Sequence, residues 1–394
     1  MATWSSSATS VATISAAGLA SSAGAGMTTI KATSGTINGS TTLAVTSGFV
    51  STGSLATGRA FHTATMLGSG MVLIAGGIDG AVNVFTGTPL RSAEIYNPIT
   101  RTFSPTGSMS RARSFHTATV LTNGLVLVTG GEDLVGIMSS AELYNPSTGT
   151  FTPTGNLNTA RGFHTATLLN NGMVLIAGGD DGAAAFAGAE LYNPATGTFA
   201  VTGSLNTARE DHRATLLNNG MVLMTGGGTD AGSTAVATAE LNNPAAGSFS
   251  LTGSMRAARI FHTATLLNNG QVLVAGGSTA ILALGAAELY NPATATFTTT
   301  SSLNTARLAH TATLLNSGMV LVVGGADSDV TTPSILGSAE LYNPTTGVFT
   351  ATNSLNTARA FHTATLLSGG TVLISGGVER TGSTFRTLAS AELY

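Results

Sequence analysis

Glu210-Asp211-His212-Arg213, directly after Arg209, completes the longest run of adjacent ionisable residues in the chain. Two carboxylates, an imidazole and a guanidinium side by side can fix a polar ligand, or move a proton if the fold brings them together over it. Asp230 follows shortly after and joins them as a candidate ligand-binding residue. A compensated patch of surface charge is the plain alternative. A second set consists of carboxylates in glycine-rich stretches: Asp180, Asp181, Asp327 and Asp329, with Asp79, Glu132 and Asp133 in similar places. Calcium takes six to eight oxygen ligands, so such loops suit it, although their spacing matches no dedicated calcium loop.

The tetrad stands out because more than half of the other ionisable residues are periodic. Arginines recur at 59, 113, 161, 209, 259, 307 and 359, and three residues after each stands one of the seven histidines (His62, His116, His164, His212, His262, His310, His362). Glutamates recur at 94, 142, 190, 240, 288, 340 and 392. A buried charge needs a partner, so the arginines and glutamates read as one structural pair or hydrogen-bond anchor per unit. An arginine-lined mouth that captures anions is the functional alternative. Equivalent histidines in successive units point around a ring and do not converge on one metal ion. The phenylalanine before most of them reads as core between units. A single specific site must break the repeat, and the fourth unit does so.

The elements that would position these residues follow from one unit, RGFHTATLLNNGMVLIAGGDDGAAAFAGAELYNPATGTF over 161–199. HTATLL ends at Asn-Gly, a hairpin signal in which both turn residues are expected to adopt positive φ. MVLIAGG is a near-continuous apolar run, as expected for a strand buried on both faces. AELY is a third strand closed by Asn-Pro, and a fourth carries Phe199. No segment has helical periodicity. Four antiparallel strands that cannot bury both faces alone are the logic of a propeller blade. The prediction is all-β, a seven-bladed propeller over 48–394. Its last unit stops after a third strand, so residues 48–55 (GFVSTGSL) supply the missing fourth. The differences in arginine spacing equal those in the loop between Gly-Gly and Ala-Glu, which places all length variation in one loop per blade, where function usually sits.

The glycine pairs (Gly76-Gly77, Gly130-Gly131, Gly178-Gly179 and their equivalents), the Glu-x-Tyr after the variable loop and the opening arginine resemble the kelch repeat family. Phenylalanine stands where kelch blades carry tryptophan on the fourth strand, and Asn242 replaces the repeat tyrosine in blade four. The resemblance implies the propeller fold that the galactose oxidase superfamily also uses. That superfamily's copper-radical cofactor implies a cysteine crosslinked to a tyrosine, and this chain has no cysteine. Residues 1–47, with Trp4-Ser-Ser-Ser, Val11-Ala-Thr-Ile, TTIKAT and TTLAVT, are similar to the second half of a bacterial Ig-like group 2 domain. This implies a bacterial extracellular or cell-surface setting and docking on a neighbouring copy, giving a homopolymer or fibre.

Composition narrows the partners. Charged residues are 8% of the chain, net charge is −3 and Lys31 is the only lysine, so no basic surface for nucleic acid or anionic lipid is expected. No apolar run reaches membrane-span length, so insertion is not expected. The absence of cysteine removes disulfides and thiolate sites. The expectation is a non-catalytic binding or structural scaffold, without cofactor unless calcium, whose ligand is a glycan or a protein. A secreted carbohydrate-active enzyme, with its site on the variable-loop face, is the competing class.

Overall fold

The structure is a computed structural model that describes residues 2–10, 12–22, 26–45, 48–80, 87–230, 234–279, 282–328 and 333–394. It divides into two compact units, Met1–Val50 with Tyr394, and Ser51–Leu393.

In the larger unit, alternating apolar residues build antiparallel strands. Among the described residues they form seven four-stranded sheets, here called blades one to seven in order of their opening arginines. Blade three shows the pattern: Thr165–Leu168, Val174–Ala177, Ala189–Asn193 and Thr198–Val201, in that spatial order. The innermost strands of successive blades touch in a closed cycle. In blade seven the order runs Thr363–Leu366, Val372–Ser375, Ala391–Leu393, and then Val50–Ser51 from the other end of the chain. Just beyond, the Thr52 N–H donates to the Ala391 carbonyl at 3.0 Å and the Leu55 N–H to that of Ala389 at 2.9 Å.

The second strand of each blade is buried throughout, and its period of two explains why. In blade three, Val174 and Ile176 pack with Leu127 and Tyr192, while Leu175 and Ala177 pack with Val222 and Met224 of blade four. Each Val, Leu or Ile among them contributes about 1.5–3 kcal/mol by leaving water. Exposure rises outward, so the fourth strand has mostly exposed positions, held by Thr and Ser and also by Val201 and Leu251.

The Asn-Gly turns differ from the expectation. Gly172 has φ +82° whereas Asn171 does not have positive φ, and the Gly172 N–H donates to the Leu169 carbonyl at 2.9 Å. The loop is therefore a type I turn followed by a left-handed glycine, a three-residue hairpin. The variable loops add small two-stranded ladders, such as Glu132–Asp133 with Gly136–Ile137 and Val378–Thr381 with Thr384–Thr387. The smaller unit holds a three-stranded sheet of Thr3–Ser6, Gly26–Ser34 and Ile37–Val45, and a two-stranded one of Ala12–Ile14 and Ala20–Ser22. No helix among the described residues is long and apolar enough to cross a membrane.

Candidate functional site

Three rings of contacts order the blades, one within each blade and two between neighbours, and each assigns a duty to a repeated residue. The outer ring consists of the buried pairs Arg59–Glu94, Arg113–Glu142, Arg161–Glu190, Arg209–Glu240, Arg259–Glu288, Arg307–Glu340 and Arg359–Glu392, at 2.7 to 3.0 Å. In blade three, Arg161 Nη1 donates to the carbonyls of Gly178 and Gly188 at 2.7 and 2.9 Å, and Nη2 to Glu190 Oε1 at 2.9 Å. The backbone N–H groups of Asn158 and Thr159 donate to the same carboxylate. Burial pulls the guanidinium pKa down and the glutamate opposes it. Nearly every polar atom is matched, which is what a buried pair requires.

The glycine pair lets the next blade come close. Gly179 (φ +89°) donates its N–H to the Arg209 carbonyl at 2.9 Å, and a Cβ on Gly178 (φ +63°) would lie 2.4 Å from that same carbonyl of the next blade. The third ring is a clasp of threonine and histidine that the sequence did not disclose. Thr63, Thr117, Thr165, Thr263, Thr311 and Thr363 each hydrogen-bond through Oγ1 to Nε2 of the next blade's histidine, at 2.9 to 3.2 Å. The remaining interface differs. Arg213 occupies the threonine position in blade four, and Thr225 Oγ1 reaches His262 Nε2 instead, at 3.0 Å. Loss of hydration pushes all seven imidazoles down, for His116, His164 and His362 to about 3, so they are neutral.

Inside these rings, one residue per blade faces the axis: Phe61, Phe115, Phe163, Asp211, Phe261, Ala309 and Phe361, all with φ between 50° and 54°. Left-handed backbone in a bulky residue costs on the order of 1–3 kcal/mol. Hydrogen bonds between neighbours impose it; for example, the Asp211 N–H donates to the Phe163 carbonyl at 3.1 Å and that of Ala309 to Phe261 at 3.0 Å. The phenyl rings touch in series from Phe163 through Phe115, Phe61 and Phe361 to Phe261, with centroids 4.2 to 5.8 Å apart. They form a horseshoe whose gap is occupied by Asp211.

Asp211, His212 and Arg213 line a recess of about 250 Å³ together with these phenylalanines and several imidazoles. Loss of hydration raises the Asp211 carboxyl to about 7, with Arg213 pulling it down and Asp180 adding to the rise. Burial lowers the Arg213 guanidinium and Asp211 opposes this. Arg213 Nε donates to the His262 carbonyl at 2.7 Å, which fixes the plane of the fork. A carboxyl that is both donor and acceptor near neutral pH, a guanidinium and an apolar wall can hold a polyhydroxylated ligand or shuttle a proton.

The other candidates lie elsewhere. Glu210 is buried with its backbone bridged to Gly228 and does not line the recess. Asp230 accepts from the Thr234 N–H and hydroxyl within its own exposed loop. The calcium candidates do not converge: Asp180 is buried in blade three, and Asp181 accepts from the N–H groups of Ala183 and Ala184. Asp327 accepts from the Ser334 N–H in blade six, and Asp329 lies outside the described residues. Among the described residues no group of three or more His, Asp or Glu is placed to hold a metal. The phenylalanines, read from the sequence as core between blades, also wall the recess: Phe61, Phe261 and Phe361 pack on a buried cluster that includes Ala60, Leu308 and Ala360 of three different blades.

Residues 59–110 match the Kelch motif family. Among solved structures, a fungal alcohol oxidase of the AA5 family in complex with copper aligns with a TM-score of 0.69 and 17% identity, over 88% of this chain and 75% of that one. The fold is a kelch-type β-propeller. No curated protein matches the sequence. At this identity the likeness establishes fold, yet it overturns the expectation of a propeller without catalysis, because the fold in question carries an oxidase. Copper itself does not fit the residues present. The hydroxyls of Tyr96, Tyr144, Tyr192, Tyr290 and Tyr342 bond to threonines of the preceding blade at 2.8 to 3.0 Å, and the imidazole Nε2 atoms are held in the clasp.

Proposed function

We propose that this propeller binds carbohydrate in its axial recess, a sugar packing on the phenyl horseshoe while Asp211 and Arg213 take its hydroxyls. The observation that carries the reading is the break in seven-fold symmetry: the same blade replaces an axial phenylalanine by a carboxyl and a clasp threonine by a guanidinium, and both line one recess. Sugars offer an apolar C–H face and a polar rim, which this lining matches. A glycan array followed by calorimetry tests it. Asp211→Asn combined with Arg213→Gln is expected to weaken binding by at least about 100-fold, two hydrogen bonds to charged groups being worth about 1.5–3 kcal/mol each. Unchanged affinity would move the site to the variable loops.

A second reading has its own support. A carboxyl raised to about 7 is matched to proton transfer at neutral pH, so the same recess suits an enzyme acting on carbohydrate, with Asp211 giving or taking the proton. Turnover of a bound glycan, abolished by Asp211→Asn with binding retained, would establish it.

A bacterial extracellular or cell-surface setting, an Ig-like character for residues 1–47 and docking of that unit on a neighbouring copy belong to the same proposal. Exposed Leu19, Met27 and Ile37 on the smaller unit support the docking. Light scattering that finds monomers both for the whole chain and for a form starting at Gly48 would end the polymer reading.

A further inference from the structure

We infer that the axial recess selects an acidic sugar, whose carboxylate is gripped by the Arg213 guanidinium. The inference rests on the carbohydrate reading of the same recess and names the class of sugar. Arg213 carries no structural duty that the repeat requires. The clasp threonine it replaces would have held His262, and Thr225 holds that histidine instead. Its Nε is committed to the His262 carbonyl, no ion pair engages it among the described residues, and no described residue accepts a hydrogen bond from either Nη. The fork is thus held in one plane with two donors left for a ligand, the geometry that suits a planar carboxylate.

The surroundings favour an anion. Buried imidazoles line the recess in their neutral form, so Arg213 is its cation. Phenyl rings keep water back, which strengthens a charge-assisted contact. Asp211 stands beside the fork and, when protonated, donates a second hydrogen bond to the bound carboxylate. The charged groups that act on Asp211 are Arg213, two residues on at the start of the blade's first strand, and Asp180 from blade three, and the imidazoles near it are neutral. As pH rises through about 7, Asp211 loses its proton and repels the ligand, so affinity for the acidic sugar falls while affinity for a neutral one stays level.

The test uses the whole chain and two matched probes, a uronate oligosaccharide and its carboxyl-reduced counterpart, titrated at pH 6 and pH 8. The acidic sugar is expected to bind roughly thirtyfold more tightly at pH 6, the size of one hydrogen-bonded charge contact, and to lose about tenfold by pH 8. Arg213→Gln should equalise the two sugars. Arg213→Thr restores the residue of the other blades, so its melting temperature reports an intact fold while its preference for the acidic sugar is lost. Equal affinities in the wild-type protein would overturn the inference and leave the carbohydrate reading standing. A sulfated sugar binding more tightly than the uronate would overturn the carboxylate assignment, and failure of every sugar would overturn both.

Discussion

Thr225 shows how a single residue frees another for function. Its hydroxyl replaces the clasp that Arg213 gave up, so Thr225→Ala should leave His262 Nε2 buried without a partner and cost about 1–3 kcal/mol in a denaturant titration. Arg213→Thr in that background should return most of the loss, because a threonine there reaches the next histidine in every other blade. A double variant no more stable than Thr225→Ala would show that the two positions are not exchangeable. Of this site, the sequence disclosed the tetrad as a break in the repeat, and three of its four members line the recess. It did not disclose the phenyl wall. A phenylalanine before a histidine reads the same whether it packs between blades or turns toward the axis, and only the left-handed φ at that position decides.

Each blade is held both by a buried ion pair of its own and by close contacts to its neighbours. Replacing Arg161 by Ala leaves Glu190 buried without its counter-charge and should lower stability by about 3–5 kcal/mol. The exposed pair Arg111–Asp133 is the control, and Arg111→Ala should cost less than about 1 kcal/mol. Similar losses from both would mean that the buried pairs contribute no more than surface ones. Gly178→Ala tests the close approach: a Cβ 2.4 Å from the Arg209 carbonyl of the next blade, on a backbone at φ +63°, should destabilise more than Gly172→Ala in the open turn. Strand order was legible because one pattern recurs with its turn residues in place. The turn type was not, since Asn-Gly serves both the two-residue hairpin and the type I turn with a following glycine.

The ring as a whole should be sensitive to acid. A histidine whose folded-state pKa is depressed stays neutral while the unfolded chain takes up protons below its ordinary value of about 6.5. The stability tied to that difference is present above pH 6.5 and is lost as pH falls toward about 3. At pH 5.5 the loss is roughly 1.4 kcal/mol for a histidine held at about 3, as His116, His164 and His362 are. The other four imidazoles are lowered in the same direction, and the raised carboxyls of Asp211 and Glu132 oppose them. Losses of that size are a large part of the stability of an ordinary domain, so calorimetric melting temperatures should drop from pH 6.5 to 5, and a flat profile to pH 4.5 would contradict the buried neutral imidazoles. The strand that closes blade seven has a consequence for how the protein is made. Thr52 leaves the ribosome about 340 residues before the Ala391 carbonyl it must meet. At roughly 5–20 residues per second, that stretch waits on the order of 20 to 70 seconds for its partner, and the first blades stand meanwhile as an open arc. The newborn chain therefore depends on whatever shields that unfinished edge in the cell until its last blade emerges.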